Sequence, residues 1–289
     1  WAPDSKHLSV SWSDSSKLGR HVMMDFTKDR ATVVNIQRMW NGDLSNNSQV
    51  GVVSADGGLI KWVDGLPRNM WLSAMDWSPN GNMLAVGWFK EDFKEWTLSV
   101  VPVTTMNKAD TYTEKAPKNY IPDFRKAFWA RDGKRLYFTT DILDGKFGYR
   151  SLMSIEPNGN GLKPVYAEQH DIAMAMRPKE SDRLVLVTLG RSPLMTELTF
   201  IEPDGTRRTA VPMDKGFATP SGFDDAQPPL ISDDGKHVAT VANGPTMNGE
   251  LFAVEPNLRR LTHSQLPEFS KVKWAEFKEV SFKAPDGAE

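Results

Sequence analysis

Apolar and polar residues alternate in short runs along almost the whole chain, as in "MLAVGW" (83–88), "RLYFTT" (135–140) and "SLMSIEP" (151–157), and each run ends at Gly, Pro, Asn or Asp. A period of two sends neighbouring side chains to opposite faces, so these runs predict β-strands with at least one buried face. Apolar spacing of the helical kind is almost absent. The pattern therefore predicts an all-β chain.

The strands recur with the same punctuation. Five stretches read as strand, turn, strand: "WAPDSKHLSVSW" from Trp1, "WSPNGNMLAVGW" from Trp77, "WARDGKRLYFTT" from Trp129, "MRPKESDRLVLVTL" from Met176 and "LISDDGKHVATVA" from Leu230. Their turn residues Ser5, Gly81, Gly133, Ser181 and Gly235 lie 76, 52, 48 and 54 positions apart by subtraction, so the first unit carries an insertion. Asn-Gly or Asp-Gly supplies the positive φ of a tight hairpin turn, which makes the connection antiparallel. A second phased element, "SLMSIEPNGNG", "ELTFIEPDGTR" and "ELFAVEPNLRR", places Glu156, Glu202 and Glu255 in register, each followed by proline. A short last strand follows, as in "KPVYAE", "RRTAVP" and "RRLTH".

Four short antiparallel strands per repeat of roughly 40 to 55 residues predict the blades of a β-propeller. Four complete blades are expected at about 71–116, 120–168, 170–213 and 226–264, after an incomplete first blade at 1–66 that lacks its inner strand. The propeller would span 1–268, with 269–289 as a connecting strand toward a further domain. Trp77 and Trp129 close inner strands and are read as packing anchors between blades. The three glutamates end third strands and are placed on a solvated blade rim.

Composition narrows the function. With 35 Lys and Arg against 37 Asp and Glu, and no long run of either sign, the chain has no footprint for nucleic acid. No apolar run approaches the roughly 20 residues of a membrane span. Without cysteine there is no disulfide framework and no thiolate metal site, and the compartment stays open between periplasm or secretion and cytoplasm. Residue 1 is Trp, so the chain start reads as processed or trimmed.

Little chemistry is written in the motifs. His7, His21, His170, His237 and His263 fall in different repeats with no motif around them; His170 beside Asp171 precedes an inner strand. There is no His-x-x-x-His, calcium-loop, P-loop or dinucleotide fingerprint, so no catalytic, metal or cofactor-binding residue is assigned and no cofactor is expected. The long segments 19–48 and 217–229 are the best candidates for contact with a partner domain or substrate.

The hairpins "WSPNG" and "WARDGKRLYF", the stretches "GLIKWVDG" and "GYRSLMSIEP", and the terminal "RRLTHSQLPEFSKVKWAEFKEVSFKAPDGAE" resemble the propeller of the prolyl oligopeptidase family of serine peptidases. The dipeptidyl peptidase IV-like and acylaminoacyl peptidase-like branches are the most similar. Leu261, Thr262 and His263 match the strand that ends the family's propeller, and Glu279 to Gly287 match the connecting strand after it. The resemblance implies a parent serine peptidase whose α/β-hydrolase domain follows the propeller, with a Gly-x-Ser-x-Gly elbow that this chain does not contain.

It also implies two partners, that hydrolase domain and a short peptide substrate, with the propeller gating access and taking no part in bond cleavage. "KEDFKEW" (90–96) holds two glutamates and an aspartate, but in the wrong blade for the paired-glutamate grip of the dipeptidyl peptidase branch. The alternative is a self-contained, TolB-like propeller serving as a protein-binding scaffold, its ring closed by "KVKWAEFKEVSF" (271–282). A propeller with its own active site at the channel mouth is a third reading, disfavoured because no His or carboxylate constellation accompanies it.

Overall fold

The computed structural model describes residues 1–289 apart from 28, 38–46, 118–124, 190–195, 211–227, 245, 275–279, 281, 284 and 286–289. The chain divides into two compact units, Trp1–Gln169 and His170–Glu289.

In the first unit, β1 (His7–Asp14), β4 (Asn47–Ser54) and β5 (Lys61–Trp62) form a three-stranded sheet. Between β1 and β4 the chain makes a separate ribbon of β2 (Arg20–Asp25) and β3 (Thr32–Gln37). Two four-stranded antiparallel meanders follow. One is β6 (Trp71–Trp77), β7 (Met83–Phe89), β8 (Glu95–Pro102) and β9 (Ala109–Lys115); the other is β10 (Ala127–Trp129), β11 (Leu136–Leu143), β12 (Lys146–Ile155) and β13 (Lys163–Tyr166).

Strand β7 shows why its sequence is apolar without interruption. Leu84, Val86 and Trp88 pack with Val50 and Val52 of the first sheet, while Ala85 and Phe89 join Trp129, Leu136 and Phe138 of the third. Both faces of the middle sheet are therefore core. Tryptophans fasten the layers: Trp77 donates its Nε1–H to Ser9 Oγ at 3.0 Å, and Trp129 donates to the Asp76 carbonyl at 3.2 Å.

The turns repeat the same contact. Gly81 and Gly133 hold φ of +70° and +69°, and a β-carbon there would stand 3.8 Å from Pro3 and 3.6 Å from Pro79, the prolines of the preceding turns. Positive φ is the conformation that glycine adopts without penalty. Each proline-bearing turn thus rests on the glycine turn of the next sheet.

The second unit holds two more meanders: β14 (Ile172–Met176), β15 (Leu184–Thr188), β16 (Glu197–Ile201) and β17 (Arg207–Ala210), then β18 (Leu230–Ile231), β19 (Val238–Gly244), β20 (Met247–Glu255) and β21 (Arg259–Arg260). Val185, Val187, Leu198 and Phe200 pack against Val238 and Val254 between them. Pro178 and Gly235 repeat the turn contact, with Pro178 Cγ 2.9 Å from where a Gly235 β-carbon would lie.

The all-β propeller-blade architecture expected from the sequence is the one found, with a first blade of three strands. After β21 comes a short 3₁₀ turn, Pro267–Lys271, followed by Trp274, whose ring stacks on Phe269 at 6.0 Å. Most of the expected connecting strand, including Glu279 and Gly287, lies outside the described residues, as does most of 217–229.

Candidate functional site

In a four-stranded meander the first and third turns fall on one edge, and the second turn and the exit connection fall on the other. In the first unit the former edge carries tight turns. The latter carries the 15–46 insertion, the connections 63–70 and 116–126, and the loop 90–94. Long connections held on a rigid scaffold are where contacts to other molecules are built.

At this edge a charged cluster is sealed inside the protein. Arg125, just before β10, is 0% exposed; Glu114 near the end of β9 and Asp141 in β11 are also buried. Arg125 Nε donates to Glu114 Oε1 at 2.7 Å, and its guanidinium also donates to Asp141 Oδ1. Thr140 Oγ1 donates to the other Glu114 oxygen at 2.6 Å, and the Tyr112 hydroxyl reaches it at 3.4 Å.

Burial raises the Glu114 carboxyl above its ordinary range even though Arg125 pulls it down. Burial, followed by the Glu114 charge, raises the Tyr112 phenol. With its donors turned inward, Arg125 acts as a tie between two sheets and not as a substrate ligand.

The acids of "KEDFKEW" are engaged locally. Glu91 accepts from Asn69, Asp92 accepts the Lys94 amide at 2.9 Å, and Glu95 pairs with Lys90 at 2.6 Å. Phe93, at φ +57°, turns inward onto Trp71 and Phe89. No paired grip for an amine results.

The insertion supplies an exposed apolar feature at this edge. In the β2–β3 ribbon Met23 pairs with Val34 and Met24 with Val33, and neither strand has another partner among the described residues. Val22 and Phe26 are 66% and 76% exposed. The ribbon's base is fastened where the Gln37 amide donates to the Ser15 carbonyl at 2.7 Å.

The repeated glutamates require a correction. Glu156 is partly exposed and stands 3.7 Å from Arg135, in keeping with a rim. Glu255 is not on a solvated rim: its side chain is 11% exposed, Arg183 grips both its oxygens, and Arg208 also contacts it. Arg183 further meets Glu202 at 2.9 Å and the Gly235 carbonyl at 2.9 Å, so one guanidinium joins two sheets. The sequence period located the acids, but their basic partners stand one strand or one repeat away.

Glu250, at the corresponding edge of the second unit, anchors the segment after β21. It accepts hydrogen bonds from Arg260, the Thr262 and Ser264 hydroxyls, and the Ser264 amide at 2.7 Å. These donors, the Thr262 hydroxyl foremost, hold its pKa at about 2. A depressed acid stabilises above its unfolded pKa and is lost as pH falls through the folded one. Protection of the Ser264 amide from hydrogen exchange is therefore expected to decline between about pH 4.5 and 2. In Glu250→Gln it should be weak and flat across that range; equal acid sensitivity in the variant would refute the anchor.

The histidines stay dispersed. His7 pairs with Asp4 at 2.7 Å in the first exposed turn, His21 lies on the ribbon, His170 is half-buried before β14, His237 immediately precedes β19, and His263 follows β21. Among the described residues no group of three or more His, Asp or Glu could hold a metal ion. No helix among them is long and apolar enough to cross a membrane.

Comparison with known proteins matches residues 1–201 to the family described as the dipeptidyl peptidase IV (DPP IV) N-terminal region. No curated protein matches the chain by sequence. The structure is similar to dipeptidyl peptidase 4 of Porphyromonas gingivalis, with a TM-score of 0.68 and 14% identity over 91% of this chain and 36% of that one. A Bacteroides ovatus protein assigned as a dipeptidyl aminopeptidase IV gives 0.65 and 14% over 90% and 38%. TolB of Acinetobacter baumannii gives 0.47 and 15% over 76% and 50%. The chain thus spans little more than a third of the two peptidase-like structures.

Proposed function

The chain belongs to the family of the dipeptidyl peptidase IV N-terminal region, and from that premise we propose that it is the non-catalytic propeller of a serine peptidase. Its partner is an α/β-hydrolase domain of the same parent protein, and its role is to limit entry to short peptides. The family match over 1–201 carries the reading. The distribution of connections in the first unit supports it, because one edge carries the insertion between β1 and β4 and the connections 63–70 and 116–126, which offer surface for a second domain. Selection on this reading is steric: a flexible peptide reaches the partner domain and a folded protein does not. On this reading bond cleavage belongs to the partner domain, where a nucleophile and its base would stand within hydrogen-bond reach.

The test compares this chain with the protein isolated from its natural source. The natural protein is expected to exceed this chain by about 25 to 30 kDa or more, the size of a typical catalytic domain. It should react with a serine-directed fluorophosphonate and cleave short peptides while sparing a folded protein. This chain alone should do neither. A natural protein of the same mass as this chain, unreactive to the probe, would sink the reading.

A further inference from the structure

In the third strand of each meander, one position lies two residues before the end of the strand repeat, and three of the four are covered. In β8 it is Val100, buried in the core. In β12 it is Ser154, whose hydroxyl and carbonyl receive hydrogen bonds from Arg135 at 3.2 and 3.0 Å. In β16 it is Phe200, fully buried, with the Arg183 and Arg208 guanidinium carbons 4.3 and 4.5 Å from its ring centroid. Arg208 is also the residue paired with Phe200 across β16 and β17.

The fourth position, in β20, is Ala253. Next to it, Ala239 of β19 stands where β15 has Val185. The two alanines open a hollow of about 690 Å³, whose lining includes Leu230, Pro256, His237 and Arg259. Part of the cationic frame is kept, in Arg259. Arg259 pairs with Ala253 across the strands as Arg208 does with Phe200, and His237 takes the repeat position of Arg183. Neither side chain hydrogen-bonds or ion-pairs with another described residue. The acid in the wall, Glu255, is engaged by Arg183 and Arg208. What this sheet lacks is the ring.

We propose that the hollow is a subsite for an aromatic side chain of an extended peptide, seated over Ala253 against Arg259 and His237. The complementarity is electrostatic as well as steric, since a ring presents its negative face to a cation. A peptide fits because β21 is an edge strand whose one partner among the described residues is β20, so the backbone carrying the ring meets an open strand edge. The site stands on the second unit alone and does not depend on the peptidase reading.

The experiment titrates the full chain, labelled with ¹³C at the alanine methyls, with N-acetylphenylalanine amide and with N-acetylleucine amide. Ring-current shifts that saturate at Ala239 and Ala253 are expected for the first, with affinity about three- to tenfold above the second. Ala253→Phe fills the slot internally and should abolish binding. Arg259→Gln should reduce the preference for the aromatic amide without moving the unfolding midpoint, which keeps the test decisive if Ala253→Phe does not fold. Absence of saturable shifts, equal affinity for the two amides, or an aromatic preference unchanged in Arg259→Gln would overturn the proposal.

Discussion

Arg125→Met is expected to destabilise the first unit by about 3 to 5 kcal/mol, because it leaves two buried carboxylates facing each other with no cation between them. The Glu114 distance to the guanidinium is already that of a charge-assisted hydrogen bond, so little rearrangement is available to relieve the loss. Chemical unfolding at neutral pH measures the deficit. Its pH dependence identifies the cause: burial already raises Glu114, and without the pull of Arg125 its carboxyl takes up a proton more readily when folded than when unfolded. Acid should therefore restore part of the stability, and the restored part should be lost again as pH rises through the folded Glu114 pKa. The triple variant Arg125→Met, Glu114→Gln, Asp141→Asn should recover much of the difference at neutral pH. A single-variant loss below about 1 kcal/mol, the range of exposed pairs, would show that the cluster is solvated in solution.

Trp129→Ala is the second large effect, at about 3 to 5 kcal/mol, the range for deleting a buried aromatic side chain. Trp129 is fully buried among Ala85, Phe89, Leu98 and Phe138, where two sheets share a core. Its backbone amide donates to Asp76 Oδ2 at 2.8 Å and its indole to the Asp76 carbonyl, so the cavity would open at a fastened point. Trp129→Phe keeps most of the apolar volume and loses the indole donor, which predicts a cost nearer 1 kcal/mol for the hydrogen bond. Urea unfolding of the two variants separates volume from hydrogen bonding. Equal losses would mean that the hydrogen bond, and not packing, dominates.

The fold was legible in the sequence because its determinants are local. Alternation marks strands wherever one strand has two faces to satisfy, and Gly81 and Gly133 announce the turns that their positive φ requires. Trp77 and Trp129 could be read as anchors because a large aromatic closing an inner strand has a neighbouring sheet to meet. The Arg125 cluster was not legible. Its carboxylates lie 11 and 16 residues away in other strands, and an isolated charge in a polar stretch reads as solvated.

Glu255 failed for a related reason: its partner Arg183 is 72 residues distant, on the preceding sheet. The hollow at Ala253 is a loss of bulk at one repeat position, and alanine in a strand announces nothing until its neighbours' exposure is known. The 19–48 insertion stood out by length. That it contains a ribbon with apolar residues on both faces did not, because the repeat pattern offers no template for it.

The proline-on-glycine contacts have an evolutionary consequence. Pro3 with Gly81, Pro79 with Gly133, and Pro178 with Gly235 set the spacing of adjacent sheets from one side only. Away from the Arg125 tie, mutations that lengthen a connection on the opposite side leave those proline–glycine contacts untouched. Within the first unit such connections range from Asp144-Gly145 between β11 and β12 to the whole segment between β1 and β4. The constrained side holds the copies in step, so the other side is free to diversify, and a lineage can explore new contacts there without re-solving how its sheets stack.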